Sequence, residues 1–320
     1  MKADATARTT YLGYGACAAA SALWGTGFYF GRLALNEMSV EHMVLYRFLF
    51  ACLGMLPVVV VHRRKLRFTA GEWRVLLLSA ALGIPIQFLI QFHGLARTTV
   101  SHASLMVGAM PVLLAAAAAL FAGEKLDWFG WLALAGSTVG AALIVLGSKN
   151  GPAAHGQPSL TGDLLVVASL ITALAWILLS KKLMQQHSPP VVTALTILTG
   201  TAMLLVWVLG PLILGSLTAH PATPPPFAQV SATAWIALAI SGIFCTATTT
   251  LLWNWGIHHV PASRAGVFLN LEPALGSVLG VQLLGEHLGP LAWAGGALIL
   301  GAAVALTTRG HEADPEIILE

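Results

Sequence analysis

Apolar residues run in long unbroken stretches along this chain, and short polar segments separate them. About 20 apolar residues make a helix long enough to cross the ~30 Å hydrocarbon core of a bilayer. Read this way, the pattern predicts helices over 11–35, 40–61, 72–95, 99–121, 127–147, 160–180, 190–216, 233–256, 263–284 and 289–308. The long runs, without period-two alternation, exclude a transmembrane barrel. Two breaks interrupt the pattern. Ser148–Thr161 is polar and contains Gly and Pro, and His220–Phe227 is Pro-rich and continues neither flanking helix. The first apolar stretch is too long for a cleavable signal and leads straight into the second, so it reads as the first membrane helix.

The pattern is written twice. Shifted by 162 positions without gaps, Gly94–Leu146 falls on Gly256–Thr308. Gly94 meets Gly256, Ser101 meets Ser263, Ala103 meets Ala265 and Pro111 meets Pro273. Gly123-Glu124 meets Gly285-Glu286, Leu126 meets Leu288 and Trp131 meets Trp293. Pro, Glu and Trp are scarce in so apolar a chain, yet all three align in one register. An internal duplication in a membrane chain points to a transporter built from two halves. The expected fold is an all-α polytopic membrane protein of ten transmembrane helices in two inverted five-helix repeats. The first repeat covers 1–147, a linker 148–161, the second repeat 162–308, and a polar cytoplasmic tail 309–320.

Composition supports this class. Charged residues make up 9% of the chain and the mean hydropathy is +0.80, against about 25% charge in a soluble domain. The net charge of +3 says little, but its placement says more. With the N-terminus in the cytoplasm, Lys2, Arg8, Arg63, Arg64, Lys65, Arg67, Arg74, Lys125, Lys181, Lys182, Arg264 and Arg309 fall on the cytoplasmic side, twelve of the sixteen basic residues. Arg97 and Lys149 fall outside, and Arg32 and Arg47 lie within spans near the outer face. Both termini are thus expected inside, and five helices per repeat then invert the second half relative to the first. Scattered basic residues argue against nucleic acid as a partner. Cys17, Cys52 and Cys245 lie in apolar segments and read as small buried hydrophobes without metal spacing. Neither metal nor cofactor is expected. Trp73, Trp128, Trp131, Trp235 and Trp293 sit near span starts as an interfacial belt. Gly136/Gly140 and Gly276/Gly280 permit close helix packing, within one chain or between two; the oligomeric state is not legible.

Two five-helix repeats with Ala22-Leu23-Trp24-Gly25 in helix 1, Gly94–Glu124 copied as Gly256–Glu286, and Leu271-Glu272-Pro273 in helix 9 resemble the drug/metabolite transporter (DMT) superfamily in its EamA-type branch. The layout is most similar to bacterial exporters of aromatic amino acids. The resemblance implies a central cavity lined by helices 1–4 and 6–9, with helices 5 and 10 peripheral. It also implies export of a small molecule across a bacterial inner membrane.

Polar groups inside a span carry a desolvation penalty, which makes them the informative positions. Gln87 and Gln91 lie four apart on one face of helix 3, after Pro85. They either contact substrate or hold the bundle together. Trp24 and Trp176 are mid-membrane tryptophans, read as occupying related places in helices 1 and 6, whose rings can line a cavity or fill the core. Asn254, between Trp253 and Trp255, and Asn270 are further cavity candidates. Glu272 is a deep acid. It can couple transport to protons, hold a substrate ammonium, or simply brace the kink at Pro273. Its counterpart in the first half is Met110. Arg47 can attract a carboxylate, but pairing with Glu37 or Glu41 is the favoured expectation. His93, His102, His258 and His259 read as interfacial, and Glu124 and Glu286 as acids complementing the dipoles of helices 5 and 10.

Three function classes compete. A secondary or facilitative transporter explains the duplication, short loops and polar spans. An intramembrane enzyme needs a cluster of nucleophile, base or metal ligands that the chain lacks. A channel or structural bundle needs no duplication. No phosphate-binding loop is present for direct ATP drive. Few fixed charges and apolar, Trp-bearing spans suit a bulky neutral amino acid; export of hydrophobic cations or drugs is the alternative.

Overall fold

The computed structural model describes residues 2–62, 68–110, 112–113, 116–117, 128–147, 158–215, 229–259 and 266–309. These form ten helices: α1 (Lys2–Leu35), α2 (Val40–His62), α3 (Ala70–Leu95), α4 (Val100–Val107, followed by a turn at 108–109), α5 (Trp128–Leu146), α6 (Leu160–Met184), α7 (Pro189–Gly215), α8 (Ala232–Gly242 onward to His259), α9 (Leu271–Leu284 after a 3-10 turn) and α10 (Pro290–Arg309). The fold is all-α and polytopic. Five of these helices are long and apolar enough to cross a bilayer, and shorter apolar helices accompany them. The chain differs from expectation mainly where helices begin. α1 starts nine residues early, and the α-helical run of α9 starts only at Leu271.

Four helices break at matched places. α3 widens into a π turn at Leu82–Ile86 and α8 into one at Ile243–Thr248. Shifted by 162, the first falls on 244–248. Pro85 accounts for the first break, because it removes an N–H and crowds the preceding turn. α8 has no proline there. Its threonines take up the loosened carbonyls instead: Thr246 Oγ1 donates to Ser241 O at 3.0 Å, and Thr248 Oγ1 to Ile243 O at 2.8 Å. α9 opens with a 3-10 turn over Gly266–Asn270, where the Pro273 ring would collide with the carbonyl of Leu269 in a regular helix. Shifted by 162, the turn at 108–109 in α4 falls on 270–271, where that 3-10 turn gives way to the α-helix. Pro111 itself lies outside the described residues.

The halves exchange partners. α3 packs on α6, and α8 packs on α1, through glycines that admit backbone contact. A Cβ on Gly94 would lie 2.8 Å from Gly162 O and 2.9 Å from Val166 N. A Cβ on Gly256 would meet Cys17 Sγ at 2.5 Å and Gly13 O at 3.0 Å. Since 94 and 256 correspond, Gly13 corresponds to Gly162 and Cys17 to Val166. This register corrects one expectation: Trp24 and Trp176 are not equivalent. The counterpart of Trp176 is Gly27, and that of Trp24 is Ala173. Gly276 and Gly280 pack within the chain, against Ser104 and Ser101 of α4. Gly140 packs against Gly295, joining α5 to α10. Large apolar side chains such as Val61, Ile171 and Val206 point outward, as expected where the surrounding solvent is lipid.

Candidate functional site

The breaks converge beside the middle of α1. Gly25 faces α9 closely: a Cβ there would lie 2.6 Å from the carbonyl oxygen of Glu272. Two residues on, Gly27 faces α2 and α8, with Arg47 Nη2 and Cys245 Cβ each 3.5 Å from where its Cβ would be. Gly25 and Gly27 thus let α9, α2 and α8 approach α1 closely, and the Arg47 guanidinium lies against Gly27.

Arg47 is the central charge. It is 4% exposed, and its Nε donates to Thr246 Oγ1 at 2.9 Å. Its guanidinium carbon lies 5.1 Å from the Phe88 ring centre and 5.3 Å from that of Phe92. Such cation–π contacts hold a desolvated cation by about 2 kcal/mol. The expected pairing with Glu37 or Glu41 is not formed. Glu41 accepts from His93 Nε2 at 3.1 Å, and Glu37 from the Ser231 amide and hydroxyl, each at 2.6 Å. Six residues separate Arg47 from Glu41, about 240° around a helix, so the two face different neighbours. Among the described residues no carboxylate lies within 4 Å of Arg47. Glu272 does not touch it; its backbone lies against Gly25, two residues before the glycine that Arg47 faces. The π turn of α8 thus has a direct consequence: it swings Thr246 into position as the acceptor for Arg47.

The other predicted site residues fall into two groups. Gln87 and Gln91 are both buried on one face of α3, and Gln87 Oε1 has no hydrogen-bond partner. Trp176 packs over Gly83, one turn before Gln87, and its Nε1 is also unpartnered. An unpaired acceptor and an unpaired donor therefore adjoin the same stretch of α3. Trp24 lies against Trp253, ring centres 5.6 Å apart. By contrast, Asn254 gives its amide to Thr193 and bridges α8 to α7. Asn270 lies at the junction of the 3-10 turn with α9 rather than within a regular helix. Glu272 follows in the first α-helical turn.

The end of the bundle that holds the α3–α4 turn, residues 95–100, is closed by a second set of charges. Arg32 donates to Leu95 O at 2.6 Å and to Thr98 O. Ser159 donates both its amide and its hydroxyl to Arg97 O, and its hydroxyl caps α6. His102 was expected at the interface. It is buried instead, 3.3 Å from Asp163, which also accepts from Thr98. Glu286 does not serve the dipole of α10. Gly285, at φ +66°, ends α9 in a left-handed turn, and Glu286 reaches back to the start of α4. There it accepts from Val100 N at 2.7 Å, Ser101 N at 2.8 Å and Ser101 Oγ at 2.7 Å. The Gly-Glu pair is therefore a turn plus an anionic cap for a neighbouring helix. Its copy Gly123-Glu124 lies outside the described residues, as does the side chain of His258. His259 bonds to the Trp255 carbonyl of its own helix.

Sequence reading missed Thr246, Phe88, Phe92 and Asp163. The first three lie in ordinary apolar or threonine-rich runs and gain meaning only beside Arg47. The one available signal was the alignment of Ser101 and Glu286 with Ser263 and Glu124.

A polytopic bundle of duplicated halves with broken helices around a polar centre is the architecture of a membrane transporter. The chain belongs to the EamA-like transporter family of the DMT superfamily, which matches it twice, over residues 11–146 and 160–308. An uncharacterized transporter from Archaeoglobus fulgidus is 24% identical over 293 residues, covering 91% of this chain and 95% of that protein. A probable terminal-alkyne amino-acid exporter from Streptantibioticus cattleyicolor is 25% identical, covering 89% and 90%. One solved structure, titled only as the crystal structure of a protein, superposes with a TM-score of 0.63 at 19% identity. It covers 95% of this chain and 99% of that one, and speaks for the fold alone.

Proposed function

We propose that this transporter exports small zwitterionic solutes, bulky neutral amino acids foremost, by alternating access across the bacterial inner membrane, with both termini in the cytoplasm. The observation that carries this reading is Arg47: a buried guanidinium against Gly27, held through Nε by Thr246, with no acid in contact among the described residues. A buried cation without an internal counter-ion is costly by several kcal/mol. A substrate carboxylate offsets that cost while bound. Glu272, across α1, supplies the opposite charge for an ammonium group. Trp24, Trp176, Gln87 and Gln91 provide the apolar walls and amide groups for a side chain. The relative described as a probable terminal-alkyne amino-acid exporter agrees with this chemistry. Twelve of sixteen basic residues at one side of the predicted spans support the orientation.

The test is flux in proteoliposomes of the pure protein. Aromatic, aliphatic and charged amino acids are run beside a hydrophobic cationic dye, with and without a pH gradient. Saturable flux of neutral amino acids, lost in Arg47→Gln and weakened in Glu272→Gln, is the expected result. Dye transport without amino-acid flux, abolished by Glu272→Gln but not by Arg47→Gln, overturns it in favour of cation export. Dependence on the gradient makes Glu272 a coupling site as well as a binding site.

A further inference from the structure

A recess lies on the flank of the bundle near residues 95–100. It has a volume of about 380 Å³ and opens outward between α2, α3, α6 and α7. Its α3 wall is formed by Leu89, His93 and Arg97, spaced four apart on one face. Gln87 and Gln91 are two residues out of step with these, about 200° around the helix. On α3 the Leu89–His93–Arg97 wall of the recess is therefore turned away from the two glutamines.

The recess is polar at one end and apolar along its length. Its rim carries a chain of hydrogen-bonding groups. Arg97 Nη1 donates to His93 O at 2.8 Å and points at His93 Nδ1 from 3.4 Å, while His93 Nε2 faces Glu41 Oε1 at 3.1 Å. His93 thus stands between the Arg97 guanidinium and the Glu41 carboxylate. A cation and an anion are thus held at fixed places on one rim, and Arg97 is exposed, with further N–H groups facing solvent. From Arg97 to Leu89 is eight residues, about 12 Å along the helix. Over that distance the lining becomes Ile90, Leu89 and Leu165, with Trp207, 64% exposed, at the side. Exposed Ile86 and Leu164 carry the apolar surface further along α3 and α6.

We infer that this recess binds a membrane phospholipid with a phosphoethanolamine headgroup. The planar fork of Arg97 takes the phosphate, Glu41 takes the ammonium, and Leu89, Ile90, Leu165 and Trp207 hold the start of an acyl chain. The opening faces the bilayer, where such a lipid is the adjacent solvent. The charge order along the rim matches a zwitterion better than a purely anionic head.

Native mass spectrometry of the full chain released from nanodiscs reads the bound lipid directly. Equal amounts of phosphatidylethanolamine and phosphatidylglycerol are supplied. One phosphatidylethanolamine per chain is expected to survive release. Arg97→Gln lowers its retention about tenfold, the equivalent of one charge-assisted hydrogen bond. Glu41→Gln leaves lipid bound but removes the preference for phosphatidylethanolamine. Trp207→Ala weakens retention of both lipids, and soluble phosphoethanolamine does not compete at equal concentration. Equal retention of the two lipids by the unaltered protein overturns the assignment. So does retention unchanged by Arg97→Gln, or full displacement by the soluble headgroup. All three side chains lie at the rim or flank, so thermal stability of the variants separates lost binding from lost fold.

Discussion

His102 Nδ1 lies 3.3 Å from Asp163 Oδ2, and both side chains are sealed off from solvent where α4 and α6 meet. Their repeat counterparts are Arg264 and Tyr14, so the acid belongs to one end of the molecule alone. Asp163 accepts from Thr98 and faces His102, so its removal leaves buried polar groups unpaired, at about 1–3 kcal/mol each. Asp163→Leu should therefore lower stability by about 3 kcal/mol, seen as a fall in the melting temperature in detergent. His102→Leu combined with Asp163→Leu should cost clearly less than the two single changes added. Additive effects in that cycle would show that the two side chains do not act as a pair.

Glu286 protects two specific amides, those of Val100 and Ser101. Glu286→Gln removes the charge that complements the start of α4 and replaces one acceptor by a donor. A loss of about 1.4 kcal/mol corresponds to tenfold faster local exchange. Hydrogen–deuterium exchange should show that acceleration at 100–101, with 159–163 following because the same turn holds both. Unchanged exchange at 100–101 would mean that the closure rests on Arg32 and Ser159 instead.

Gly25 and Gly27 are two residues apart in α1 but should respond oppositely to the same substitution. Gly25→Ala forces a methyl against the Glu272 backbone, and overpacking of this kind costs roughly 1–3 kcal/mol. Gly27→Ala meets only ordinary contacts at 3.5 Å, and removes a glycine that weakens a helix by up to ~1 kcal/mol. The expected outcome is loss of stability for Gly25→Ala. Gly27→Ala should keep or improve stability while transport slows, since its methyl sits against the Arg47 guanidinium. Normal transport by a stable Gly27→Ala protein would remove this face of Arg47 from the substrate's path.

Trp176→Phe keeps an aromatic ring over Gly83 and deletes the unpartnered Nε1 donor. Reduced flux with an unchanged melting temperature would mark that donor as a substrate contact. Trp24→Ala should also reduce transport, through loss of its contact with Trp253. Unaltered flux in both proteins would leave the two rings as packing.

Glu37 offers a test by pH. It lies between α1 and α2, and hydrogen bonds from the Ser231 side chain and backbone lower its pKa below the usual value for a glutamate. A carboxylate depressed in the folded state stabilises it above the unfolded pKa, and that contribution fades as pH falls through the folded value. Acidification should therefore loosen the start of α8, read as faster exchange at 231–234. Glu37→Gln should remove most of that dependence. Persistence of the same acid response in the variant would assign it to another group.

Much of this was legible in the chain itself. The ten apolar runs, their duplication at 162 positions and the special status of Glu272, Arg47 and the Gln87–Gln91 face come from hydropathy, spacing and the rarity of polar groups in lipid. Such signals are local, because each helix satisfies its own backbone. The partner of Arg47 was not legible. Thr246 is one threonine among several, and only the π turn, a property of packing rather than of residue type, singles it out. The same holds for His102, where Asp163 comes from the other half of the chain, and for Glu286, whose target lies across the molecule at Ser101.

Hydropathy and repetition, written in single residues and their spacing, determined that this protein is a duplicated helical membrane bundle. The tertiary structure alone decided which buried groups face one another. The exchange of helices between halves made Gly27 the pseudo-symmetric counterpart of Trp176, and placed Arg47 against that glycine with no acid in contact among the described residues. In a low-dielectric interior, energies depend on which groups meet within a few ångströms, and such distances follow from how helices cross rather than from their order in the chain.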